Sequence, residues 1–227
     1  MFKHSAIRAA ILAAPLLLST SMADAAIVTG SSNGSFSNPS CPGAPICSTV
    51  NTTQGSDTQV RWGAILVPST LTAMDRNWNV STDANDVVLA ELRWFNASTL
   101  DVLTPDTFNV NYFLSINFTS PNASSDSETV NLNITNTDNA AGDTIGGLTL
   151  ADLSNLSFTL NGVVVNDLKY MLSSGGSFNN NVWYNPELNE SRMFITADFR
   201  AVPEPASLGL LAAGFLGLGV LHRRRRV

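Results

Sequence analysis

Between residues 26 and 202 the chain has no histidine, and Lys169 is its only lysine. The two histidines, His4 and His222, lie near the ends. Ser-His-Asp and Cys-His nucleophile systems therefore cannot be assembled from the body, nor can a zinc site with histidine ligands. Charge is scarce as well, with 13% of residues charged. Six of the 12 basic residues are Lys3, Arg8 and Arg223 to Arg226. Residues 26–202 thus hold 6 basic and 16 acidic side chains, a net charge of −10. Sparse acidic charge excludes a basic nucleic-acid binder. A hydrophobic content of 44% excludes charge-driven disorder. No phosphate-binding glycine loop is present, because the turn-rich Gly142 to Gly147 stretch lacks the lysine such a loop needs. No stretch between 60 and 200 carries a helical apolar stripe over three turns.

What the body has instead is period-2 alternation. Phe108, Val110, Tyr112, Leu114, Ile116 and Phe118 share one face. Asn109, Asn111, Ser115 and Asn117 share the other, with Phe113 as the exception. Val130, Leu132 and Ile134 alternate with Asn131, Asn133 and Thr135, and Leu156, Phe158 and Leu160 repeat the pattern. Asn161-Gly162 reads as a hairpin turn into Val163 to Val165. Met193, Ile195, Ala197 and Phe199 form a last strand, while Val60 to Val67 and Val87 to Phe95 are more continuous strands. Ala151 to Leu156 fits one short helical turn. Strands this dense, apolar on one face and polar on the other, predict an all-β, jelly-roll-like sandwich of two antiparallel sheets over residues 60–200. Residues 27–58, rich in Ser, Thr, Asn, Gly and Pro, read as loop with one early strand at most. Cys41 and Cys47, the only cysteines, are expected to form a structural disulfide in this 26–59 segment.

The ends read as addresses. Lys3 and Arg8 precede the apolar run Ala9 to Leu18, and Ala23-Asp24-Ala25 offers a small-x-small site. Residues 1–25 are thus expected to be a signal peptide, cleaved between Ala25 and Ala26, that brings the chain to the Sec translocon. At the other end, Val202-Pro203-Glu204-Pro205 precedes the uncharged Ala206 to Leu221, then His222 and Arg223, Arg224, Arg225 and Arg226. As a helix, residues 206–221 span roughly 24 Å. That is short of the ~30 Å hydrocarbon core, and snorkelling arginines make up part of the difference. Moving four arginines outward would cost roughly 9 kcal/mol per 100 mV, so they act as a stop-transfer element on the cytoplasmic side. The expectation is a C-terminal transmembrane helix with the body outside the cytoplasm.

This three-part end, Val202 to Val227, resembles the PEP-CTERM sorting signal: a Pro-Glu-Pro motif, a short transmembrane stretch and an arginine-rich tail. The resemblance implies processing by an exosortase, an integral-membrane cysteine protease-transpeptidase of Gram-negative bacteria. It further implies an inner-membrane-anchored precursor and delivery to the cell surface or an exopolysaccharide-rich, biofilm-type matrix. The body resembles the choice-of-anchor K domain, which includes the THxN group. The residues that carry this are Arg61-Trp62-Gly63, the run Val88 to Asn96, Phe108 to Pro121 and the aromatic Val182 to Pro186. At the position of the group's name motif only Asn96 agrees, with Arg93 and Trp94 in place of Thr and His. That domain type implies architecture and no activity.

Candidates for chemistry are few. Lys169 could serve a Ser-Lys or Schiff-base scheme, or be an ordinary surface lysine. Glu91, Glu128, Glu187 and Glu190 are the carboxylates available for glycoside hydrolysis. Calcium could be held by Asp138, Asn139 and Asp143, or by Asp83, Asn85 and Asp86, although polar turns look the same. Nine asparagines begin Asn-x-Ser/Thr with x other than proline: Asn33, Asn51, Asn79, Asn96, Asn117, Asn122, Asn133, Asn155 and Asn189. A neutral surface rich in hydroxyls and amides suits contact with hydrated polysaccharide, attached sugars, or solubility without charge. Trp62, Trp78, Trp94, Trp183 and Tyr184 could form a sugar-stacking platform, or fill the core. The function expected is an exported, non-enzymatic surface or matrix protein needing no cofactor. The alternatives are a carbohydrate-binding module and a carboxylate-based glycoside hydrolase.

Overall fold

Alternation at every second residue forces each strand to bury one face, and two such layers bury each other. The computed structural model describes residues 26–41, 47–51, 57–63, 66–98, 107–137 and 142–202. Its strands are β1 (Ile27–Ser37), β2 (Cys47–Asn51), β3 (Thr58–Trp62), β4 (Ser69–Met74), β5 (Arg76–Ser81), β6 (Val87–Asn96), β7 (Thr107–Ser120), β8 (Ser124–Thr135) and β9 (Asp143–Gly146). A short helix α1 (Leu150–Ser154) precedes β10 (Val163–Ser174), β11 (Ser177–Asn179), β12 (Val182–Asn185) and β13 (Asn189–Ala201). All pairings are antiparallel. One sheet runs β11-β12-β9-β8-β7-β1-β5 and the other β10-β13-β6-β4-β3-β2. Rings from the two layers meet in the middle. Trp62 lies against Phe108 with centroids 5.6 Å apart, Trp94 against Trp183 at 5.2 Å, and Phe118 against Phe199 at 5.9 Å. Such edge-to-face contacts contribute about 1 kcal/mol each beyond their buried area.

The sandwich begins earlier than its composition suggests. The stretch expected to be mostly loop contains β1, a strand paired on both sides, by β5 and β7. β1 and β2 therefore belong to the same two sheets as the later strands. Small residues serve a purpose in β1. A Cβ on Gly30 would lie 2.4 Å from Trp78 Cζ2, and one on Gly34 2.7 Å from Ala73 Cβ. Two glycines thus let a polar strand lie close against bulky neighbours.

Two further expectations need correction. Val60 to Val67 is not one strand: β3 stops at Trp62, and Gly63 follows with φ of 86°. The Leu156 to Leu160 stretch alternates as expected but joins no ladder beyond a bridge between Leu160 and Val163 at the Asn161-Gly162 turn. Side chains from the start of β8 and its turn take over the ladder's role. Asp126 Oδ2 accepts from Ser157 N at 2.8 Å, Ser124 Oγ from Thr159 N at 3.1 Å, and Asn122 Oδ1 from Asn161 N at 2.7 Å.

Candidate functional site: one uncharged face and one charged face

The two outer faces of the sandwich differ sharply. On the seven-stranded sheet, strand geometry turns outward the residues that alternate with the core positions. On β5 these are Asn77, Asn79 and Ser81, and on β1 Ile27, Thr29, Ser31, Asn33, Ser35 and Ser37. On β7 they are Asn109, Asn111, Phe113, Ser115, Asn117 and Thr119, and on β8 Ser125, Ser127, Thr129, Asn131 and Asn133. Thr144, Val182, Tyr184 and Ser177 extend the face across β9, β12 and β11. None of these outward residues is charged. Neighbouring strands are stitched by their side chains. Asn131 Nδ2 donates to Asn111 Oδ1 at 2.8 Å and Asn133 Nδ2 to Asn109 Oδ1 at 3.0 Å, while the Thr29 and Thr119 hydroxyls are 2.8 Å apart.

This geometry explains part of the recurrence of Asn-x-Ser/Thr. Residues i and i+2 of a strand share a face, so a strand that alternates polar and apolar residues from an Asn, Ser and Thr vocabulary writes the motif repeatedly. Asn33, Asn79, Asn117 and Asn133 all arise this way. Asn122 is in a turn, Asn155 caps α1, Asn189 donates to Asn185 Oδ1 at 2.7 Å, and the Asn51 side chain lies outside the described residues. Asn96 is fully buried.

The six-stranded sheet gathers the charge. Arg61, Arg93, Lys169, Arg192 and Arg200 all alternate with core residues on its strands, while Arg76, the first residue of β5 in the other sheet, reaches this charge through Glu91. These are all six basic residues of the body. Glu91 is buried and ion-paired with Arg76, and its other oxygen lies 3.5 Å from Arg192. Glu190 binds Arg192 at 2.9 Å and also Arg93. The Arg93 hydrogen bond is the main cause that holds the Glu190 carboxyl below its ordinary range. Glu128 is on β8, in the opposite sheet, and Glu187 is in the turn before β13.

The second proposed calcium loop is drawn into this face. Asp86 meets Asp167 and Asp198, with one oxygen of each within 4.8 Å of the others, a grouping that sequence spacing gave no means to find. Lys169 Nζ binds Asp86 at 2.8 Å and Asp167 at 2.6 Å, and Arg200 binds Asp198 at 2.9 Å. The chain's own cations therefore sit where an ion would. The Asp167 and Asp86 hydrogen bonds raise the Lys169 ammonium above its ordinary range. Asp83 and Asn85 face other partners: Asp83 Oδ1 accepts from Ala201 N at 3.4 Å, and Asn85 from Arg200. In the first loop, Asp138 and Asn139 lie outside the described residues. Asp143 is buried, and burial pushes its carboxyl up to about 6 although Thr137 N donates to Oδ1 at 2.7 Å.

The tryptophan platform is not formed. Trp62, Trp78, Trp94 and Trp183 are all core residues, and of the five aromatics only Tyr184 reaches the surface. The residues behind the choice-of-anchor K likeness turn out to tie the two sheets together. Asn96 Nδ2 donates to Asn185 O at 2.9 Å, Asn185 Nδ2 to Trp94 O at 3.2 Å, and Trp183 Nε1 to Ser191 Oγ at 2.7 Å. Buried amides must find such partners, and here they find them across the layers.

Cys41 and Cys47 form a disulfide. Ala26 and Val202 are the first and last described residues. Ala25, Pro203, Glu204, Pro205 and Arg223 to Arg226 lie outside the described residues, as do the two apolar end segments. Among the described residues no helix is long and apolar enough to cross a membrane. Residues 201–226 match the family described as the PEP-CTERM protein-sorting motif, which indicates an exported protein processed by an exosortase. No curated protein matches the chain, and the likeness of the body to the choice-of-anchor K domain gains no support from these comparisons.

Proposed function

Because the chain carries an exosortase sorting motif at residues 201–226, we propose that it is a non-enzymatic structural component of a Gram-negative cell surface or exopolysaccharide matrix. It would be exported through the Sec translocon, held briefly in the inner membrane and then trimmed. The observation that carries this reading is where the motif begins. The match starts at Ala201, the residue at which β13 ends. Val202 N donates to Gly162 O at 2.9 Å, and no described strand lies beyond it. Removal of residues 203–227 therefore leaves every described strand in place. The choice-of-anchor K likeness fits such a role and adds no chemistry.

Protonation weighs against two of the candidate catalytic groups. A glycosidase acid needs a raised carboxyl pKa, whereas Glu190 is held low by Arg93 and Arg192. A Schiff-base lysine needs a lowered pKa, whereas Lys169 is raised. A carbohydrate-binding module is the second reading, favoured by the uncharged face. The test is an immunoblot of membrane and medium fractions from hosts with and without the exosortase. The expected result is a shortened product only where the exosortase is present. Replacing Pro203-Glu204-Pro205 by alanines should leave the full-length form in the membrane. A product that retains residues 206–227 in the exosortase-positive host overturns the reading.

A further inference from the structure

Phe113 breaks the pattern of its own strand. Every other outward position on β7 is Asn, Ser or Thr, yet here a phenyl ring stands 38% exposed on the outer face. Its cross-strand neighbours are Ser35 on β1 and Thr129 on β8, and Asn111 and Ser115 flank it along β7. Strands about 4.8 Å apart, with same-face residues about 6.8 Å apart, place these four polar side chains around the ring.

We infer that the outer face of the seven-stranded sheet binds a neutral polysaccharide, with Phe113 stacking against a pyranose ring. A pyranose has an apolar C–H face and a rim of hydroxyls. The phenyl ring meets the first, and the surrounding hydroxyls and amides meet the second. Asn111 accepts from Asn131 and keeps its own donors for a ligand. Charge selects the occupant. The outward residues carry none, and the net charge of −10 over residues 26–202 repels an anionic polymer. A second copy of this chain fits poorly, because a self-interface needs an apolar centre, whereas Phe113 stands in a polar field and the face's other exposed apolar side chains, Ile27 and Val182, lie apart from it at the start of β1 and on β12. The inference rests on the chain being a surface or matrix component.

The test is native affinity electrophoresis of the full chain in mild detergent, in gels containing dextran, galactomannan, hydroxyethylcellulose or alginate. Retardation is expected in at least one neutral gel and not in alginate. Phe113→Ala should weaken it about tenfold, Phe113→Trp should keep it, and Phe95→Ala on the opposite face should leave it unchanged. Thr129→Asp supplies a second variant that places charge beside the ring, and it should also weaken retardation. The inference is overturned by migration unchanged in all three neutral gels, by retardation that survives both Phe113→Ala and Thr129→Asp, or by retardation in alginate alone. It is equally overturned if sedimentation shows that Phe113 drives self-association instead. Tail processing is scored separately: a trimmed protein without retardation defeats this inference only, and a retarded protein that keeps its tail defeats the sorting reading only.

Discussion

Single residues here show how the sandwich tolerates ionisable groups. Glu91 is the buried carboxylate of the charged sheet, and its two arginines are each 40% exposed. Removing Arg76 leaves an under-compensated buried charge, whereas replacing Glu91 by an apolar residue leaves arginines that can turn to water. Arg76→Ala should therefore destabilise by about 2 kcal/mol, below the cost for a fully buried pair, and Glu91→Leu by less. Urea unfolding checks the order; a larger loss in Glu91→Leu would contradict it. Asp143 gives the pH dependence. Its folded carboxyl lies at about 6, above the ordinary 3.8, so the native state binds more protons than the unfolded state between those values. Stability from this group is full below about pH 4 and falls as pH rises through about 6. Asp143→Asn retains the Oδ1 acceptor for Thr137 and removes the ionisation. It should melt higher than the parent at pH 7.5, and the gap should close at pH 4.5. A gap that widens on acidification would show that the carboxylate is stabilising.

Elements were legible to the degree that their apolar residues declared them. β7, β8 and β13 follow from alternation and β6 from a more continuous apolar run, because their core positions are mostly large apolar residues. β1 was hidden because the sequence Ile27 to Ser37 offers only Val28 and Phe36 as large core residues, with Gly30, Ser32 and Gly34 between them. Its place is set by close approach to Trp78 and Ala73, which one-dimensional reading cannot see. Gly30→Ala should therefore cost about 2 kcal/mol or more, since a strand residue that looks replaceable is held against a ring and a backbone carbonyl. An unchanged thermal midpoint would mean that β1 can shift away without loss. The short β11 and β12 were missed as strands for a related reason: each pairs in register only because β9 and the Gly175-Gly176 turn bring them together. On the candidate site, the neutral composition of the surface was readable, but its collection onto one sheet was not. Nor was the gathering of Asp86, Asp167 and Asp198, which lie far apart in sequence.

At the scale of the whole molecule, the sorting motif and the folded body divide the chain almost without overlap. The full chain and the product ending at Val202 should unfold at the same temperature in the same detergent buffer, because the last described hydrogen bond belongs to Val202 itself. A lower midpoint for the trimmed form would show that the tail braces the sandwich. The position of β13 has a mechanical side. It lies between β10 and β6, so the strand that leads to the tail is an interior strand with ladders on both sides. The strand nearest the other end, β1, is likewise enclosed, between β7 and β5 in the opposite layer. A pull applied between residues 26 and 202 cannot peel off an edge strand bond by bond. It must load two interior strands in two sheets at once, so force on either terminus is spread into both layers before any ladder gives way.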